Sequence, residues 1–199
     1  KGLISEQAQV NKYLSALDQL SQVKLPQADD GSNRLLLPPL LPAETNISVK
    51  SLLEPLIERA KARANLQGRK WFSPSEWPSW MESRSISEGV IAEIVANLLE
   101  NAFRYSPPQS SIGIELVENG ICIWDEGIPI NEEERDKIFE KGFRGESGSK
   151  MSGSGIGLAL ARDLARQLGG DLKLIVNPSK FKNSLPESGN AFVFNLEPK

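Results

Sequence analysis

The sequence contains no histidine and a single cysteine, Cys122, among its 199 residues. Without imidazole there is no Ser-His-Asp triad; without a second thiol there is no intrachain disulfide and no plausible zinc cluster. Basic charge is not in excess either. The 23 Lys and Arg face 26 Asp and Glu, and the resulting net charge of -3 argues against nonspecific nucleic-acid binding, which needs a basic surface. No apolar run approaches the roughly 18 residues of a membrane span, and no signal peptide is visible. We therefore expect a cytoplasmic chain with no membrane segment of its own, compatible with a membrane-associated parent. What remains is ordinary globular composition, 39% hydrophobic with 4 Trp. A chain of this length buries roughly 70% of its unfolded surface and folds without covalent staples.

Apolar residues at Leu3, Val10, Tyr13, Leu14, Leu17, Leu20 and Val23 recur in three- and four-residue steps and predict a helical segment over 1–25. Pro26 ends it, and 26–46 reads as a linker carrying Asp29, Asp30, Gly31 and a proline-rich stretch to Pro42. The remainder, 47–199, reads as one domain. Ser48 is placed to cap a helix from Val49 to about Gln67, in which Pro55 is a blemish. A short strand near 69–72 and an unassigned Pro- and Trp-rich connection precede a strong helix from about Ser87 to Tyr105. Two apolar runs flank Asn119-Gly120, the signature of a type I′ hairpin turn. Asn131 is expected to cap a short acidic helix ending at Phe139. Glycine and serine dominate 141–154, which predicts a lid-like loop, followed by a helix stopped at Gly169-Gly170 and two further strands. This order predicts an α+β fold, a two-layer sandwich with a mixed, mostly antiparallel sheet and its helices on one face.

Four stretches carry candidate chemistry. On the strong helix, Glu93, Asn97, Glu100, Asn101 and Arg104 lie opposite the apolar stripe; alone this is a solvated face, but two Asn one turn apart are poor helix formers. A carboxamide oxygen is a hard neutral ligand suited to Mg²⁺, and Arg104 suits a phosphate. Asp125 ends a hydrophobic strand, where a carboxylate can accept a hydrogen bond from an amino group while Gly127 permits close backbone approach. Phe139 and Phe143 read as anchors at the loop's base, with Arg144 a candidate anion contact. Gly153, Gly155 and Gly157 open a helix whose amides and positive end suit phosphate oxygens. The context is neither a Rossmann fingerprint nor a P-loop.

In this order and spacing the four pieces resemble the nucleotide-binding motifs of sensor histidine kinases, within the wider family of gyrase-type and Hsp90-type ATPases. Asn97-Leu-Leu-Glu-Asn101-Ala-Phe-Arg104-Tyr105-Ser106 resembles the N box and Asp125-Glu-Gly127-Ile-Pro-Ile130 the G1 box. Ile138-Phe139-Glu-Lys-Gly-Phe143-Arg144 resembles the F box, and Gly153-Ser154-Gly155-Ile156-Gly157-Leu158 the G2 box. The resemblance implies a Bergerat-type ATP-binding fold, with ATP and Mg²⁺ as cofactors. It implies Asn101 as the Mg²⁺ ligand with Asn97 beside it, and Arg104 and Arg144 at the phosphates. Tyr105 would pack on adenine, Asp125 accept from its amino group, and the 141–154 lid enclose the phosphates. The γ-phosphoryl group would pass to a histidine on a dimerisation domain absent from this sequence, and from there to a response-regulator receiver domain; the full-length protein is expected to be a homodimer.

Two departures bear on that reading. Pro129 replaces the glycine more usual after the G1 aspartate and stiffens the loop. The missing histidine means that the acceptor must lie elsewhere. Two other readings stay open: an ATPase or chaperone of the same fold, and a catalytically silent module that binds nucleotide or a partner. Asn97 separates the first, because the ATPase branches usually carry a water-activating Glu there and a carboxamide is no general base.

Overall fold

The computed structural model describes residues 48–74, 76–83, 88–145 and 155–196. The expected helix over 1–25, the linker 26–46 and residues 146–154 of the expected lid lie outside the described residues. Helix α1, Val49–Leu66, starts where Ser48 accepts a hydrogen bond from the Ser51 N–H at 3.2 Å, as an N-cap should. It continues unbroken through Pro55. Its buried stripe of Leu52, Leu53, Leu56 and Ile57 explains the tolerance. Each such side chain contributes about 1.5–3 kcal/mol when buried, against about 3 kcal/mol for an interior proline.

Strand β1 is Lys70–Phe72; the unassigned stretch after it holds a one-turn helix α2, Trp80–Ser83, before α3, Glu88–Tyr105. Strands β2, Ser111–Val117, and β3, Gly120–Asp125, form the expected hairpin. Helix α4, Gly157–Gln167, then leads into β4, Gly170–Val176, and β5, Asn190–Leu196, closes the chain. The sheet order is β1-β2-β3-β5-β4, with β1 parallel to β2 and every other pair antiparallel.

Period-two alternation separates the two faces of the central strands. Ile121 and Ile123 of β3 with Phe192 and Phe194 of β5 join the main core with α1, α3 and α4, while Cys122, Trp124, Ala191 and Val193 pack with Leu185 in a second cluster. The helices thus cover one face, and the β4–β5 connection contributes to the other. Because both clusters need it, β3 is buried along its full length. The C-terminal end of α3 is fixed from outside by Arg69, whose guanidinium donates to the carbonyls of Phe103 at 3.1 Å and Ser106 at 2.6 Å. A cation on those orphan carbonyls also complements the helix dipole.

Two local expectations are corrected. Val117 pairs directly with Gly120, so the hairpin loop is Glu118-Asn119, and none of these residues has positive φ; the turn is not type I′. Gly120 is required instead as the first residue of β3, because a Cβ there would overlap the Phe194 carbonyl oxygen. Asn131 makes no side-chain cap. The acidic segment forms two single 3₁₀ turns, Glu132–Glu134 and Lys137–Phe139, rather than a helix.

If close packing is the reason for Gly120, Gly120→Ala should destabilise the fold by about 1–3 kcal/mol. Asn119→Gly should stay within about 0.5 kcal/mol of wild type, as is usual for surface changes. Urea unfolding midpoints of the two variants check this, and the opposite ranking would restore the left-handed turn.

Candidate functional site

The inward parity of β3 that buries Ile121 and Ile123 carries Asp125 to the end of the same face. There it is 2% exposed. The Gly127 N–H donates to its Oδ1 at 2.7 Å. A Cβ on Gly127 would press on that oxygen and on the Tyr105 carbonyl, so glycine is what lets the loop fold back against the end of α3. Gly189, at φ 127°, passes close to the Asp125 backbone, where any side chain would overlap the carbonyl oxygen. Asp125 is paired across the sheet with Asn190, itself 3% exposed. The Asn190 amide clamps the following loop, accepting from the Ile130 N–H and donating to the Ile128 carbonyl, each at 2.9 Å.

Burial pushes the Asp125 carboxyl up to about 7, against the opposite pull of the Gly127 N–H and the Asn190 side chain. The result is an acceptor at the edge of the core whose charge is poised near neutrality. Ile128 stands 70% exposed beside it.

At the other end of the site, Asn97 donates from Nδ2 to the Glu93 carbonyl at 2.9 Å, which turns its Oδ1 towards α4. That oxygen lies 3.2 Å from where a Cβ of Gly157 would sit. Two distant motifs therefore meet at the first residue of α4. Ile156 precedes that helix without any side-chain cap, leaving the first-turn N–H groups for an anion. Gly155, at φ 70°, is held by its carbonyl accepting from the Gly142 N–H at 3.1 Å, which closes the base of the lid segment. Only glycine fits there, since a Cβ would crowd Gly142 and Phe143.

The other predicted residues divide by environment. Asn101 and Tyr105 are half-buried on α3. Phe139 packs on the core with the Arg162 guanidinium 4.5 Å above its ring, and Arg162 in turn holds Asp171 through Nε at 3.0 Å. Phe143 and Leu158 also rest against the core, as loop anchors. Arg104 pairs with Glu100 at 3.5 Å, one turn back on the same helix. Arg144 is exposed at the base of the lid, and Gly153 and Ser154 lie outside the described residues. Sequence reasoning missed Asn190 and Gly189, whose only signal is a Ser-Gly-Asn turn before a strand. It also left Glu93 on a solvated face. The residue is 5% exposed, and burial raises its carboxyl above the usual range.

Comparison with known proteins gives the family. Residues 87–199 match the family described as histidine kinase-, DNA gyrase B-, and HSP90-like ATPase, and the chain belongs to that family. The relatives lie in its kinase branch. The sensor histidine kinase Hik2 of Thermosynechococcus vestitus is 38% identical over 68% of this chain and 36% of its own length. The swarming motility regulation sensor protein RssA of Serratia marcescens is 32% identical over 56% and 23%. The chain thus spans about a third or less of these relatives. Among solved structures, the mycobacterial sensor histidine kinase MprB superposes with a TM-score of 0.53 at 26% identity, covering 74% of this chain and 97% of that one. The described domain is an ATP-binding catalytic domain of the histidine-kinase type, with the α+β sheet and helices expected for it.

The raised Asp125 value carries a stability consequence. A carboxyl whose folded pKa lies above its unfolded value of 3.8 favours the native state most fully below 3.8, and that contribution is lost as pH rises through about 7. Across that window the wild type should weaken relative to Asp125→Asn, whose amide does not titrate. Urea midpoints of both proteins at pH 5 and pH 8 measure this, and a difference between them that is independent of pH would show that Asp125 is not held so high.

Proposed function

We propose that this domain binds Mg-ATP between α3 and the glycine-rich segment and transfers the γ-phosphoryl group to a histidine on another segment or subunit. The single observation that supports this most strongly is the meeting of Asn97 Oδ1 with the first residue of α4. It joins a carboxamide pair to an uncapped helix N-terminus, one suited to a hard cation and the other to phosphate oxygens.

In this reading Asp125 accepts from the adenine amino group, Gly127 leaves room for the ring, and Tyr105 and Ile130 border it. Asn101 would hold Mg²⁺ with Asn97 beside it. Among the described residues no cluster of three or more His, Cys, Asp or Glu could hold a metal without other ligands. Mg²⁺ takes one or two protein ligands and completes its octahedron with phosphates and water. When bound, the ion neutralises charge on the phosphates. The amides of Gly155, Gly157 and Leu158, preceded by Gly153 and Ser154, would hold the phosphates in line, and Arg144 and Arg104 would add charge at the rim. The protein's part is position and electrostatics rather than a covalent step. Asn97 spends its amide on the Glu93 carbonyl and has no proton-accepting nitrogen, so water is not activated there.

The phosphoryl acceptor in this account is a histidine-bearing dimerisation domain, which hands the group to a response-regulator receiver domain, and the parent works as a homodimer. No described helix is long and apolar enough to cross a membrane. A cytoplasmic place for this domain, on a parent that is itself membrane-associated or not, agrees with that.

Calorimetric titration should show Mg-dependent ATP binding that Asn101→Ala weakens by about 10- to 150-fold, the loss of one charge-assisted contact. Above pH 7, where Asp125 is ionised, ATP should outcompete GTP by about 1–3 kcal/mol, because guanine opposes a carbonyl oxygen to the carboxylate. Asp125→Asn should narrow that gap. Equal affinity for the two nucleotides in the wild type would remove Asp125 from base recognition.

With labelled ATP, the chain should remain unlabelled for want of a histidine and should label a separate histidine-bearing dimerisation fragment of its parent. Phosphate release should be slower than that transfer. Hydrolysis at the rate of a dedicated ATPase would move the assignment to the other branch.

A further inference from the structure

On the face of the sheet away from the helices, a cavity of about 560 Å³ lies between β1, β2, the end of β3 and residues 184–188 of the β4–β5 connection. That size suits a small molecule. Phe72, Trp124, Leu185 and Pro186 make its lining predominantly apolar, and the Phe72 side chain is 47% exposed.

Phe72 pairs with Gly113, and Gly113 with Trp124, across three neighbouring strands. The indole lies across Gly113, where a Cβ would come within 2.5 Å of its Cε2 and 2.7 Å of its Nε1. Gly113 stands between Ser111 and Glu115, which both line the cavity, so the indole N–H is set in its floor. Trp124 is 2% exposed, and its Nε1 finds no acceptor among the described residues. Nearly every buried donor in a folded protein is paired, so this one points to an acceptor that the chain does not itself supply. The Phe72 ring beside it, centroids 5.4 Å apart, belongs to a three-residue edge strand and is free to turn aside.

The rim is acidic, and no Lys or Arg lines the cavity. Lys182 neutralises Glu115 at 2.7 Å. Glu126 accepts from the Ser111 N–H at 2.6 Å, and Glu187 is exposed with no hydrogen bond or ion pair among the described residues. Two carboxylates thus stand at an apolar cleft without a cation. We infer that this cavity binds a small aromatic amine that also carries a carbonyl group. Its ring would lie against Phe72, Leu185 and Pro186, its carbonyl oxygen would accept from the Trp124 N–H, and its ammonium would sit between Glu126 and Glu187. The same rim rejects a ligand that brings a carboxylate. The inference does not depend on the nucleotide site, because its test reads no nucleotide.

The test is a titration of the nitrogen-15-labelled chain with phenylalaninamide, which has the ring, the carbonyl and the ammonium. The Trp124 indole signal, identified by its loss in Trp124→Phe, should move saturably at millimolar strength. The Trp80 indole, already bonded to the Val117 carbonyl at 3.1 Å, should stay in place. Phenethylamine, which lacks the carbonyl, and N-acetylphenylalanine, which is an anion, should each bind about tenfold more weakly. Glu187→Lys, an exposed change that leaves the core intact, should weaken phenylalaninamide several-fold. A Trp124 signal that phenylalaninamide leaves unmoved would overturn the inference, as would equal affinity for the cationic amide and the acetylated anion.

Discussion

A carboxylate with almost no access to water governs this molecule. Asp125 can serve as a hydrogen-bond acceptor only because the strand, two loops and a helix end around it are built to tolerate it. Its burial follows from β3 lying beside β5 at the centre of the sheet, where both strands feed both hydrophobic clusters. Its partial stabilisation comes from the Gly127 amide and the Asn190 side chain, and neither could approach if Gly127 or Gly189 carried a side chain. A buried carboxyl that is incompletely satisfied costs stability. Such tension is expected where a group is kept ready for an incoming donor.

Helix α3 connects this acceptor to the opposite end of the site. Its last residue, Tyr105, packs its carbonyl against Gly127, and one face carries Asn97 to Gly157 on α4. The distance between the two ends is therefore set by a rigid rod, and Arg69 fastens the rod's C-terminal carbonyls. On the other side, Arg162 ties Phe139 to α4 and Asp171, so the base of the lid is fixed to the same frame. The proposed nucleotide contacts and the base of the expected lid thus draw on one packed unit, which suits a reaction that depends on positioning.

Much of this was legible from the residues. The inward set Ile121, Ile123 and Asp125 follows from strand periodicity alone, and the helix to Tyr105 from its apolar stripe. Illegible features depended on partners distant in sequence. Asn-Gly predicted a left-handed turn, but Gly120 is claimed by the Phe194 carbonyl across the sheet, a contact no local rule contains. Pro55 suggested a break that tertiary burial outweighs. Asn190 carried no signal because its role arises only when β5 is laid beside β3, and Glu93 looked solvated until α3 was packed into place.

The account stands most directly on the charge of one side chain. Carbon-13 NMR titration of the Asp125 carboxyl, in the nucleotide-free chain and with an adenine nucleotide bound, measures it. The account predicts a midpoint of about 7 in the free chain, moving clearly downward when the adenine amino group supplies a donor. A midpoint in the ordinary carboxylate range in the free chain, or one that nucleotide leaves unmoved, would contradict it.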